Sequence, residues 1–502
     1  MPEKQKPSPP SLMSTGIEGL DDILEGGFTP HRLYLVSGNP GSGKTTMALR
    51  MLITGVAAGE TALYVTLSET ATEIRDASLS HGWDLEGLEI CELTATEDLL
   101  DRDSQYTMFH PSEVELTETT KAVLSEVDRI NPSLVVFDSL SEMRLLAQGS
   151  LRYRRQILAL KHYFIGRKCT VFLLDDGTSE PNDMQLQSIA HGVINLEQLA
   201  PEYGAERRRL RVLKMRGRRY RGGYHDFIIE SGGLRVFPRL VASEHLTEFP
   251  YEDVSSGLPK LDALLGGGLG RGTNTLLLGP AGAGKSTIMT QFVHTSAMER
   301  GENAAVFTFE ENLSTLMARS KQLGIDLQEG VDAGMITVQQ INPAELSPGE
   351  FAHRVRASVE VAGAKLVVID SLNGYLNAMP EERFLIIQLH ELLTYLGQRG
   401  VVTILIMAQH GLLGNQMMSP VDASYLADTV ILMRFFEIHG EVRQVISVVK
   451  KRSGAHERTI REFSTSSHTI SLGEPLSQFH GVLSGIPWES SSPIPSASDP
   501  GE

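Results

Sequence analysis

Two stretches of this chain carry the residue types and spacing that grip the phosphates of a nucleotide. The first is Gly38-Asn39-Pro40-Gly41-Ser42-Gly43-Lys44-Thr45, followed by Thr46; the second is Gly279-Pro280-Ala281-Gly282-Ala283-Gly284-Lys285-Ser286, followed by Thr287. Both fill the pattern G-x-x-x-x-G-K-[ST]. Glycines let the backbone curl so that successive N–H groups face phosphate oxygens. The next helix presents its positive N-terminal end. Lysine reaches the β- and γ-phosphates, and the Thr45 or Ser286 hydroxyl holds magnesium. Each loop follows an apolar run, Leu33-Tyr34-Leu35-Val36 or Thr275-Leu276-Leu277-Leu278, and precedes a helical pattern. That context is what the motif requires, so ATP and Mg2+ are the expected ligands of both.

Hydrolysis needs further groups. Asp138 and Asp370 each end an apolar strand, where a P-loop ATPase needs a carboxylate to hold magnesium through water. Thr45, Asp138, Ser286 and Asp370 are therefore the expected metal set. A general base must also orient or deprotonate the attacking group. Glu310 and Glu311 follow the strand Ala305-Val306-Phe307-Thr308-Phe309, whereas the first half reads Thr66-Leu67-Ser68-Glu69. The candidates are Glu69, Glu310 and Glu311. With Ser68 standing where Glu310 stands, the two sites are not expected to share identical chemistry.

Positioning these groups takes two similar domains. Ser14-Thr15-Gly16-Ile17-Glu18-Gly19-Leu20-Asp21 echoes Ser255-Ser256-Gly257-Leu258-Pro259-Lys260-Leu261-Asp262, and Leu134-Val135-Val136-Phe137-Asp138-Ser139-Leu140 echoes Leu366-Val367-Val368-Ile369-Asp370-Ser371-Leu372. The landmarks run in the same order in both halves. Short apolar runs at 304–309, 366–369, 402–407 and 429–433 read as buried strands, and 381–397 as a helix. Strand alternating with helix implies an α/β fold, a mostly parallel sheet flanked by helices. A hairpin turning at His439-Gly440 should follow, repeated in the first half by residues 192–196 and 209–215. The expected organisation is a disordered N-terminus over 1–12, a first ATPase domain over 13–240, a linker over 241–253, a second domain over 254–488 and a disordered tail over 489–502.

Composition narrows the class. The 502 residues are too many for one core, and 41% hydrophobic with 21% charged is ordinary for a globular protein. A net charge of −17 argues against nucleic acid as a partner. Two cysteines, Cys91 and Cys169, fit a reducing cytoplasm and give no metal-ligand cluster. No apolar run approaches the roughly 18 residues that span a bilayer. One dense basic run stands out, Arg207 to Arg219, with strand-like alternation. It reads as a subunit edge lending Lys214 and Arg216 to a neighbour's ATP, as a nucleic-acid track, or as a solvated face. Lys450 and Arg452 recur in the second half without the surrounding arginines, which favours the first reading.

Together these residues resemble the KaiC family, tandem RecA-like ATPases that include the circadian clock protein. The likeness spans Ser14 to Trp488. It rests on the Ser14–Asp21 stretch, the two P-loops, Phe309-Glu310-Glu311, Arg461-Glu462-Phe463 and Phe479-His480-Gly481-Val482-Leu483-Ser484-Gly485. The resemblance implies a double-ring homohexamer with ATP between adjacent subunits. It implies slow hydrolysis in the first ring, and serine/threonine autokinase and autophosphatase activity in the second. Glu310 matches the family's base for autophosphorylation and Glu311 its neighbour. Lys214 and Arg216 in one half, and Lys450, Arg452 and His456 in the other, match groups reaching across the interface; Tyr220 replaces a family histidine. The family's phosphorylated Ser-Thr pair falls on Ser424-Tyr425, leaving Ser424 as the phosphosite and removing the two-residue cycle. The Ser490–Glu502 tail looks unlike the clock protein's longer, partner-binding tail, and the chain resembles the bacterial KaiC-like proteins linked to stress or two-component signalling, which implies an unidentified signalling protein as partner. Two rival readings are a RecA-like nucleic-acid motor or recombinase, and a non-catalytic ATP-gated scaffold.

Overall fold

The computed structural model describes residues 11–93, 111–147, 149–176, 185–201, 204–377, 385–409, 424–466, 469–484 and 488–489. Strands form where the apolar runs are. In the first half they are β1 (Leu33–Gly38), β2 (Ala62–Thr66), β3 (Leu88–Glu92), β4 (Leu134–Asp138), β5 (Thr170–Asp175), β6 (Gly192–Leu199), β7 (Arg207–Met215), β8 (His225–Glu230) and β9 (Gly233–Phe237). They make one nine-stranded sheet ordered β3-β2-β4-β5-β1-β6-β7-β8-β9. From β3 to β6 the pairing is parallel, and from β6 onward antiparallel.

The reason the central strands read as unbroken apolar runs is that both sheet faces are covered. Along β1, Tyr34 and Val36 join one buried cluster with Met47, Leu52 and Ile74, while Leu33 and Leu35 join another with Ile157, Leu160 and Phe164. Period-two alternation therefore supplies two cores from one strand.

The second half repeats the plan. A two-stranded ribbon of β10 (Asp253–Val254) and β11 (Leu269–Gly270) precedes β12 (Asn274–Gly279), β13 (Ala304–Thr308), β14 (Ile336–Gln340), β15 (Leu366–Asp370), β16 (Val402–Ala408), β17 (Thr429–Ile438), β18 (Glu441–Lys451), β19 (Arg461–Ser466) and β20 (Thr469–Pro475). The sheet order β14-β13-β15-β16-β12-β17-β18-β19-β20 is that of the first half, strand for strand. The expected hairpin at His439-Gly440 is present, with Ile438 opposite Glu441. The helix expected over 381–397 is described as Leu385–Gln398.

The chain divides into two compact units, Met1–Arg239 and Leu240–Glu502. The stretch read as a linker packs on the second unit. Leu240 and Ala242 are buried in its core, Thr247 Oγ1 donates to the Gln398 carbonyl at 2.8 Å, and Tyr251 Oη donates to the Ser453 carbonyl at 2.7 Å. The terminal segments expected to be disordered lie almost wholly outside the described residues. Among the described residues no helix is long and apolar enough to cross a membrane.

Candidate functional site

Each P-loop leaves the carboxyl end of its strand, β1 or β12, and turns into a helix at a left-handed glycine, Gly43 (φ 95°) or Gly284 (φ 99°). That φ disfavours a side chain at either glycine, and at Gly284 contact adds to it, since a Cβ there would collide with the Phe463 ring. The lysines fold back on their own loops. Lys44 Nζ donates to the carbonyls of Gly38 (2.7 Å) and Asn39 (3.1 Å), and Lys285 Nζ to those of Gly279 (2.8 Å) and Pro280 (2.7 Å). Burial brings the Lys285 ammonium down to about 8, against the pull of Asp370 and Glu310.

The expected metal residues come together in both halves. Thr45 Oγ1 donates to Asp138 Oδ2 at 2.7 Å, and Ser286 Oγ to Asp370 Oδ2 at 3.0 Å. Burial raises both carboxyls, Asp370 to about 6, while the hydroxyl bond from Ser286 works the other way. Among the described residues no group of three or more His, Cys, Asp and Glu gathers as a self-sufficient metal cage. A hydroxyl and one carboxylate beside a phosphate loop suit magnesium, which keeps water and takes phosphate oxygens.

The acidic residues separate by environment. Thr66 Oγ1 donates to the Glu69 carbonyl (2.7 Å) as Thr308 Oγ1 does to the Glu311 carbonyl (3.0 Å), so Glu69 and Glu311 are equivalent and Ser68 stands at the place of Glu310. Glu311 is held by Arg319 at 2.9 Å; burial raises its carboxyl and that arginine lowers it. Glu310 is exposed at the rim. Glu69 lines a cleft of about 400 Å³ with Lys44, Thr45, Ser68, Asp138 and Asp176. Burial, then Asp138, raises its carboxyl.

The residues assigned to a neighbour's ATP sit toward the other rim of each sheet. Lys214 opposes Val193 near the start of β6, whereas Gly38 at the P-loop opposes Leu196. Lys214 and Arg216 cap the helix Gln185–Ile189, donating to the carbonyls of Gln187 and Ser188, with Lys161 on Ile189. Lys450 likewise reaches the carbonyls of Ser424 (2.8 Å) and Ala427 (2.7 Å). Arg452 is exposed, 3.8 Å from Asp428, and His456 is half-buried in the loop after β18. Ser424 is half-buried and Tyr425 exposed; residues 410–423, just upstream, lie outside the described residues.

Part of the basic run is engaged within the first unit, two of its arginines by carboxylates. Arg208 pairs with Glu206 (3.0 Å) and Arg209 with Glu197 (2.8 Å). Arg209 and Arg211 stand 4.1 and 5.0 Å from the Tyr224 ring, and Arg218 donates to the Glu25 and Gly27 carbonyls.

Two residues of the first cleft escaped the sequence reading. Tyr64 Oη donates to Asp138 Oδ2, where the second half has Val306 at the same register. Asp176 pairs with Lys44 at 3.0 Å. The Asp175-Asp176 pair closing an apolar strand was the available signal for the second.

A family model described as "ATPase: KaiC" matches residues 13–241 and again 254–477. The circadian clock oscillator protein KaiC of Acaryochloris marina is 26% identical over 481 residues, covering 94% of this chain and 90% of that protein. The same-named protein of Picosynechococcus sp. is 26% identical over 479 residues, covering 94% and 92%. The circadian clock protein KaiC3 of Synechocystis sp. is 25% identical over 481 residues, covering 95% and 94%.

Proposed function

Because the chain belongs to the KaiC family of ATPases, we propose that it is a magnesium-dependent ATPase with serine autokinase activity in its second half. We propose further that it assembles as a homohexameric ring, with ATP between neighbouring subunits, and acts in the cytoplasm as a signalling or timing hub. The observation that carries the reading is the pairing of each P-loop hydroxyl with a strand-end aspartate, Thr45 with Asp138 and Ser286 with Asp370. On this reading Lys44 and Lys285 leave their loop carbonyls to meet the β- and γ-phosphates. Bound magnesium would neutralise charge developing between those phosphates.

In the second half Glu310 takes the proton of the attacking hydroxyl, and Arg319 holds Glu311 beside it. When water attacks, the γ-phosphorus–bridging-oxygen bond breaks and inorganic phosphate leaves. When the Ser424 hydroxyl of a neighbour attacks, the phosphoryl group stays on that serine and ADP leaves. Lys450 and Arg452 of the adjoining copy complete the charge balance from their rim, and His456 of that copy offers a ring nitrogen as a hydrogen-bonding contact. The first two act as Lys214 and Arg216 would in the first half. The location of these cations away from their own P-loop supports a role in trans.

Full-length protein incubated with γ-labelled ATP and magnesium tests the kinase step. Label should appear on the protein, vanish in Ser424→Ala, and fall by about 10²-fold or more in Glu310→Gln. Protein that stays unlabelled while ATP is hydrolysed would remove the kinase claim alone. For the first half a second reading is favoured by Ser68: the cleft binds ATP as a structural ligand with little turnover.

A further inference from the structure

Besides Ser68/Glu310 and Tyr64/Val306, the two clefts differ at a third place outside the phosphate-loop motif. Strand β5 runs beside the P-loop strand with Ser37 opposite Asp175, which sets Asp176 level with Gly38. The same register position in the second half, opposite Gly279, is Ala408. Asp176 is built into its place. Ser139 Oγ and Ser141 Oγ donate to Asp176 Oδ2 at 2.9 and 2.8 Å, and Lys44 Nζ lies 3.0 Å from Asp176 Oδ1. The lysine is 6% exposed and the aspartate 26%, so this pair is shielded in a way that surface pairs are not. In the second half the Asn373 side chain instead exchanges two hydrogen bonds with the Ala408 backbone (3.0 and 2.8 Å). Lys285 rests there on neutral carbonyls.

The consequence is electrostatic. A polyphosphate entering the first cleft must draw Lys44 away from a charge-assisted bond, the stronger class of hydrogen bond. It then faces the vacated carboxylate, with Asp138 and Glu69 in the same cleft. Like charges at such range in a partly dry site repel appreciably. We infer that Asp176 is a positioning residue that sets a charge threshold on the first cleft: it competes with phosphate for Lys44 and opposes a polyphosphate that arrives without a divalent cation. The second cleft, with Ala408, has no such threshold at this position. The inference rests on the reading that the first cleft binds ATP.

The test uses the full-length chain carrying Lys285→Ala, so that binding reports the first cleft. Calorimetry with ATP is run in excess EDTA and in excess magnesium, with and without Asp176→Asn. Asp176→Asn should tighten binding about tenfold in EDTA, the scale of one charged hydrogen bond, and change it far less with magnesium present. A purely structural role would not make the effect depend on the cation. Equal affinity of the two proteins in EDTA, or weaker binding by the variant, overturns the inference. If the Lys285→Ala chain binds no ATP even with magnesium, the first-cleft reading falls and takes this inference with it.

Discussion

Ser68 and Glu310 occupy one position in two copies of the same turn, and on the proposed function that difference sets what each cleft does with water. A serine hydroxyl cannot hold a proton from an attacking water at neutral pH; a carboxylate can. Ser68→Glu, made in the Lys285→Ala background, should therefore raise first-cleft ATP hydrolysis by about tenfold or more, measured as phosphate release. Unchanged turnover, with ATP binding intact, would show that the missing carboxylate is not what limits this cleft. Legibility at this scale followed spacing. Lys44, Thr45, Lys285 and Ser286 were readable because their chemistry needs neighbours in sequence. Asp138 and Asp370 were readable because each closes an apolar strand. Tyr64 and Asp176 were not singled out, because their contacts depend on β2 lying beside β4 and β5 beside β1. Strand order is not written in residue spacing.

At the scale of elements, the strands were legible from apolar runs and the hairpin from His439-Gly440. The edge of the first sheet was harder to read, since β8 and β9 carry no long apolar run. They are fixed partly by a buried neutral histidine. His225 opens β8, accepts the Arg239 amide on Nδ1 at 2.8 Å, and donates from Nε2 to the Arg221 carbonyl at 3.0 Å. Burial, aided by Arg239 and Arg221, brings it down to about 4. Between about pH 6.5 and 4 the unfolded ring takes up a proton that the folded ring refuses, so stability falls as pH falls. Roughly 3 kcal/mol is lost once pH passes below the folded value. Denaturant unfolding of the first unit across that window should show the decline, with a smaller slope in His225→Gln. An identical slope in the variant would assign the acid sensitivity elsewhere.

For the whole molecule, the duplication is the main fact: two units, one sheet order, two phosphate loops, and a family match over both. The copies have diverged at Ser68, Tyr64 and Asp176 on one side and at Glu310, Val306 and Ala408 on the other. That divergence is what the proposed function rests on when it assigns binding to one cleft and turnover to the other. Both clefts must take ATP for this duplication to work as proposed. Titration calorimetry with ATP and magnesium on the full-length protein should give two nucleotides per chain. Lys44→Ala and Lys285→Ala should each remove one, and the double variant both. Two sites that survive the double variant, or a wild-type chain that takes up no ATP, would contradict it.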